Sequence, residues 1–317
     1  MIYELIDAWL SMKAFETARS YRSIIKEWCL FLGCIFGPDA DSALRNASRK
    51  NVLEYLGFLR TKRGQQSRYD KEHTTQSNAT IRKKMEVLRL MYQILMDEGV
   101  LSINPWASGL LTKPNAERKM KRKTEALNKD EVKSLLLLPD SRKRSGIRDL
   151  ALMSICLGAG LRISEALKLT IQDILIDYSS GDWSLRLREP KSGPDQQQGL
   201  PAWAQEALSL LVAQRRSDSD LGRLSLLFVR YNSKEQVFKP LQYRTAARIL
   251  KKYFLKAGLR NKSPHSLRKS SINFLARDGE QVINIRDFAR HKSVTSTEKY
   301  LNEVNIITNS IAKKIKI

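Results

Sequence analysis

Cysteine is scarce in this chain. Cys29, Cys34 and Cys156 are three in 317 residues, an odd number, and none has the CxxC or Cys/His spacing of a zinc site or a disulfide framework. Buried thiols in a reducing compartment are therefore expected, and no metal. A continuous apolar run of about 18 residues, the least that spans a bilayer, is also missing. Met1-Ile2-Tyr3-Glu4 lacks the basic start of a signal peptide, so a cytoplasmic protein without membrane contact is expected. The small-residue stretch Gly158-Ala159-Gly160 lacks the Lys-Ser/Thr that would make it a phosphate-binding loop, so no nucleotide cofactor is expected. Histidine is equally sparse: His73, His265 and His291 are the only three.

Acidic residues are in short supply too. Against 33 Asp and Glu stand 56 Lys and Arg, a net charge of +23, far beyond what solubility requires and the mark of a polyanionic partner. The excess is uneven. Residues 1–105 carry 16 basic and 12 acidic side chains, and the remainder 40 against 21, an excess of 19. Most phosphate contacts should therefore fall in the second part. With 42% hydrophobic residues the chain is no disordered basic tail. Its length suits two domains, since single domains commonly run to roughly 100 to 200 residues.

Helical periodicity dominates the first third. Leu5, Ile6, Trp9 and Leu10 recur at helical spacing, and Tyr21, Ile24, Ile25, Trp28, Phe31 and Leu32 share one face of a second helix that Gly33 stops. Val52, Leu53, Leu56 and Leu59 mark a third helix. Ile81, Met85, Leu88, Tyr92 and Leu95 mark a fourth, closed by Gly99 and Asn104-Pro105. Between these last two, 64–77 reads as a polar loop in which His73 is solvated. Residues 112–124 hold six basic residues, one acidic residue and no apolar period, as an exposed linker would. Domains at 1–111 and 125–317 are expected on either side of it.

Asn128 followed by Glu131 announces the next helix with a capping box. An apolar helix over 146–157 breaks at Gly158-Ala159-Gly160, and a new helix is expected over 162–169, with Arg162 projecting from its start. Trp183–Glu189 alternates as a strand, with 197–200 as hairpin partner and Lys191 in the turn Pro190–Pro194; 225–230 is a further strand. Helices follow at 203–214, 243–257, 264–277, 282–290 and around 297–301. Val304, Ile307, Ile311 and Ile315 form a terminal stripe that docks either on its own domain or on a neighbour. The expected fold is mainly α with a small β-sheet.

Cutting a phosphodiester requires an in-line nucleophile, cationic donors for the oxygens where charge builds, and a proton for the leaving oxygen. Arginine suits the second role, being always charged and matching phosphate oxygens with paired donors. Taken singly, Arg162 and Arg268 are unremarkable in a basic protein, and Tyr300 is a packing residue. Together, Gly160-Leu161-Arg162-Ile163-Ser164-Glu165, His265-Ser266-Leu267-Arg268, His291 and Tyr300 supply every part without a metal.

That series, in residue type, order and spacing, resembles the tyrosine recombinase or phage-integrase family, and Arg148-Asp149-Leu150 and the N-terminal helices extend the likeness over nearly the whole chain. The resemblance implies a two-domain clamp on duplex DNA, a helical core-binding domain followed by the catalytic domain. It implies that Tyr300 attacks the scissile phosphate to give a 3′-phosphotyrosyl bond and a free 5′-hydroxyl. Arg162, Arg268 and His291 would hold the phosphate oxygens, and Glu165 would support the pocket. His265 would be the base or hydrogen-bond partner of the phenol, and Lys191 would protonate the leaving 5′-oxygen. Two features depart from the family. Residues 192–199 lack the usual basic residues, and Arg290 stands where a Gly commonly precedes the His, either touching DNA or altering the local turn.

The activity so implied is site-specific recombination through a Holliday junction: integration, excision or resolution by a homo-tetramer on inverted-repeat sites, in the cytoplasm and on the nucleoid. The early start of the N-terminal helices fits the simple architecture of Xer-type and transposon-encoded, mobile-element enzymes rather than one with an additional arm-binding domain. Two alternatives use the same residues differently: a type IB topoisomerase, and a non-catalytic DNA-binding regulator on a recombinase scaffold.

Overall fold

The computed structural model describes residues 1–61, 76–107, 125–188, 195–218, 225–234, 236–291, 293, 294 and 297. The chain divides into two compact units, Met1–Lys119 and Met120–Ile317. The expected linker over 112–124, the turn with Lys191, and Tyr300 with the terminal stripe lie outside the described residues. So does His73.

The first unit is helical: α1 (Ile2–Ser11), α2 (Phe15–Phe31), a 3-10 turn (Pro38–Ala40), α3 (Asp41–Arg45), α4 (Arg49–Thr61) and α5 (Asn78–Asp97). The apolar faces read from the sequence meet in one core around Ile25, Trp28, Leu59, Leu88 and Tyr92, all fully buried; Tyr55, outside the expected face, joins it, whereas Leu53, expected on it, is 53% exposed. Within the core the Trp28 indole donates to the Tyr92 hydroxyl at 3.1 Å, and that hydroxyl donates to the Leu44 carbonyl at 3.1 Å. Lys84 and Glu27 make a largely enclosed ion pair at 2.7 Å between α5 and α2. Helix α3 was not expected. Five residues carry no readable period, yet it places Asp41 beneath α1, where the carboxylate accepts the backbone N–H groups of Ile2 and Tyr3 at 2.9 and 2.8 Å. The first helix is thus capped from 39 residues away.

The second unit contains α6 (Lys129–Leu136), α7 (Arg144–Gly158), α8 (Ile163–Ala166), a 3-10 turn (Ile171–Asp173), β1 (Ile174–Ile176), β2 (Trp183–Leu187), β3 (Gln196–Gly199), α9 (Ala202–Arg216), β4 (Val229–Tyr231), β5 (Val237–Pro240), α10 (Tyr243–Lys256), α11 (Pro264–Arg277) and α12 (Val282–Ala289). The capping box that opens α6 is complete, each of its two bonds being 2.8 Å. Every residue from Ala151 to Leu157 of α7 is buried, because this helix is apolar all round and is packed on several sides. It also buries the Arg148–Asp149 pair at 2.6 Å, with the Tyr253 hydroxyl donating to the other carboxylate oxygen at 3.1 Å.

The three-stranded sheet is antiparallel in the order β1-β2-β3, with Leu185 opposite both Ile174 and Gln198; β4 and β5 form a separate antiparallel pair. The expected helix over 162–169 ends at Ala166 instead. Beyond it the Leu169 carbonyl accepts the Leu227 N–H at 2.8 Å, and Thr170 bridges Leu226. The chain therefore changes to extended pairing where apolar spacing alone reads as one more helical turn. That bridge also takes the start of the strand expected at 225–230, leaving β4 at Val229–Tyr231.

Candidate active site

Three helix ends converge at the site. The first is the break after α7, where Gly160 has φ +58 and a β-carbon would lie 2.6 Å from Phe288 Cε1. Both facts demand glycine. Its carbonyl accepts from Arg268 Nη1 at 2.7 Å and Arg290 Nη2 at 3.2 Å. Arg162 follows as the N-cap of α8 with an extended backbone. Glu165, one turn on, accepts the Arg162 backbone N–H through Oε2 at 2.8 Å and its guanidinium through Oε1 at 2.5 Å. Short as α8 is, its carboxylate fixes both the backbone and the side chain of Arg162.

The second is the start of α11. Ser263 caps it, and Pro264 occupies the first turn, where its missing N–H is no loss. His265 and Arg268, three residues apart, lie on one face. His265 is exposed, whereas the Arg268 side chain is 2% exposed. Arg268 donates to the carbonyls of Gly160 and Ala289 and stands 4.0 Å from Glu165 Oε2. It clasps the end of α7 to the end of α12.

The third is the end of α12. The His291 N–H returns to the Arg286 carbonyl and the Arg290 N–H to that of Asp287, each at 3.0 Å. This is a Schellman close with Arg290 in the left-handed conformation, φ 51 and ψ 48. The turn aims the His291 ring back toward the arginines, and its Nδ1 lies 3.0 Å from the hydroxyl of Thr297, which is fully buried.

The structure thus gathers Arg162, Glu165, His265, Arg268 and His291. Two residues at the site escaped the sequence reading. Thr297 carries no motif; Arg290 was marked as an oddity, and its guanidinium turns inward to Glu165 Oε2 at 3.0 Å.

Three guanidinium groups, those of Arg162, Arg268 and Arg290, face the one carboxylate of Glu165, a local excess of two positive charges. Burial by itself would raise the Glu165 carboxyl, but Arg290 and Arg162 hold it below the usual range. Burial pushes His291 down to about 4, helped by Arg268, Arg162, His265 and Arg290. Partial desolvation beside the site, then Arg268, Arg162 and Lys269, lower His265 as well, although part of its surface is open to solvent. Both rings are neutral near pH 7, so each can donate one hydrogen bond and accept another. Among the described residues no group of His, Cys, Asp and Glu is arranged to hold a metal ion.

A helical protein with two units, a small sheet and this convergence of Arg, His-x-x-Arg and His defines a class. Residues 125–305 match the model of the phage integrase family, and the chain belongs to that family, the tyrosine site-specific recombinases. Curated relatives include tyrosine recombinase XerC of Pelotomaculum thermopropionicum, 29% identical over 245 residues, 75% of this chain and 74% of the relative. XerD of Neisseria meningitidis serogroup B is 25% identical over 238 residues, 73% and 75% respectively. Among solved structures, the fold is shared with the Tn1549 transposon integrase in complex with circular intermediate DNA, at TM-score 0.66, 15% identity and 94% coverage of both chains. It is shared also with XerH recombinase bound to a palindromic difH substrate, at TM-score 0.62, 19% identity, and 86% of this chain and 73% of that one.

Proposed function

We propose that this enzyme cuts and rejoins duplex DNA through a covalent tyrosyl intermediate. Tyr300 Oη attacks the scissile phosphorus and gives up its proton toward His265; the bond from phosphorus to the 5′-oxygen breaks, and Lys191 supplies that oxygen's proton. The DNA is left as a 3′-phosphotyrosyl end and a free 5′-hydroxyl, and reversal on a new 5′-hydroxyl reseals it with no outside energy source. The observation that carries this reading is the charge balance of the cluster: Arg162, Arg268 and Arg290 stand against Glu165 beside the neutral His291, leaving two positive charges unbalanced, as an anionic, pentacoordinate phosphate requires. Arg162, with its side chain 34% exposed, is the more open of the two arginines. Where the Thr297 hydroxyl donates to His291 Nδ1, the ring proton stands on Nε2 as a donor to a phosphate oxygen.

The helical core-binding domain at 1–111 and the catalytic domain at 125–317, joined by 112–124, close as a clamp on DNA. Four protomers pair two inverted-repeat sites in the cytoplasm and exchange strands through a Holliday junction, in integration, excision or resolution. The DNA-bound state of the Tn1549 and XerH enzymes supports the choice of partner. Plasmids bearing two copies, one copy or no copy of the short inverted repeat that the protein selects from random DNA test this. Recombinants are expected only with two. Relaxation of every supercoiled plasmid would identify a type IB topoisomerase instead, and binding without cutting would identify a regulator.

A further inference from the structure

We infer that Arg290 is a positioning residue of the cleavage site, which holds and neutralises Glu165 so that Arg162 is fixed in place without losing its charge to the carboxylate. The inference rests on the recombinase reading above.

Arg290 is the one non-glycine residue with positive φ among those described. A β-carbon is disfavoured in that conformation, and glycine would close the α12 turn without strain. Its charge is also taken out of water, the side chain being 2% exposed, which is unfavourable unless the contacts made inside compensate. They are numerous. Nη1 donates to Gln198 Oε1 at 2.6 Å and to the Phe288 carbonyl at 3.2 Å, while Nη2 donates to Glu165 Oε2 at 3.0 Å and to the Gly160 carbonyl at 3.2 Å. The Nε atom finds no acceptor, so the two Nη groups set the placement.

The division of Glu165 explains what the placement achieves. Its Oε1 takes the Arg162 guanidinium, and its Oε2 takes the Arg162 backbone and Arg290. A lone carboxylate against Arg162 would orient that guanidinium and also cancel much of the field it offers a phosphate. Arg290, pairing from the buried side, offsets the carboxylate and leaves the orientation intact. Through Gln198 it also joins β3 to the turn that carries His291.

The test is single-turnover cleavage by the full chain on a nicked suicide substrate, with DNA affinity and thermal melting measured on the same preparations. Arg290→Asn removes the charge but tolerates the left-handed conformation. It should keep affinity within about twofold and lose about 10- to 100-fold in cleavage, the scale of a misplaced reacting group. Arg290→Lys, which keeps a charge beside Glu165, should recover part of that loss. Glu165→Gln combined with Arg290→Asn should be no slower than the slower single variant within about twofold, since both act through one contact. Wild-type cleavage by folded Arg290→Asn, losses that multiply in the double variant, or unfolding of both Arg290 variants would overturn the assignment of Arg290 alone. Failure of the unaltered protein to form any adduct would instead remove the cleavage reading and this inference with it.

Discussion

His291 sits where protonation is opposed from several sides. Burial acts first, and Arg268, Arg162, His265 and Arg290 act with it, bringing the ring to about 4 from an ordinary value of 6.5. As pH falls, the unfolded chain therefore takes up this proton first, and stability drains away between about pH 6.5 and about pH 4. The lowered values of His265 and Glu165 act in the same direction. Thermal midpoints measured from pH 7 to pH 4 should decline in the unaltered protein and decline less steeply in His291→Asn, which has no proton to accept. Identical slopes would mean that His291 is not held neutral. Addition of a phosphate-bearing site DNA should raise the His291 value, since an anion would then lie beside the cations.

At the scale of elements, the site depends on three helix ends closing within hydrogen-bond reach, and Gly160 is the tightest point. Gly160→Ala combines a left-handed backbone with a methyl 2.6 and 2.9 Å from two Phe288 ring carbons. It should cost about 1 to 3 kcal/mol and displace the carbonyl that receives Arg268. Urea unfolding measures the first effect and adduct formation the second; an unchanged midpoint would contradict the packing described. Much of this scale was legible in advance. The faces carrying Trp28, Leu59 and Tyr92 span several turns, so their period is strong, and the box of Asn128 and Glu131 names its own helix start. Helix α3, β1 and β5 were not legible, because segments of three to five residues carry no period and their pairing depends on partners distant in sequence. In the site, Arg162, His265, Arg268 and His291 stood out as a spaced series. Arg290 did not disclose its role, since nothing in the chain order says that residue 290 reaches residue 165.

For the whole molecule, a net charge of +23 should make DNA binding strongly dependent on salt. If a protomer neutralises about 6 to 10 phosphates, affinity falls roughly 10³- to 10⁵-fold from about 50 to about 200 mM salt. Reversing the basic charges of 112–124 should flatten that slope, and an affinity indifferent to salt would contradict the clamp. The most direct test of the account concerns its one covalent step. A nicked suicide substrate, which lets the 5′ fragment escape and so traps the joined state, is incubated with the unaltered protein and with Tyr300→Phe, then run on a denaturing gel. The unaltered protein should shift a labelled strand into a protein-linked band while Tyr300→Phe binds the same DNA and shifts none. A protein-linked band of equal yield from Tyr300→Phe would show that another residue is the nucleophile and would contradict the account.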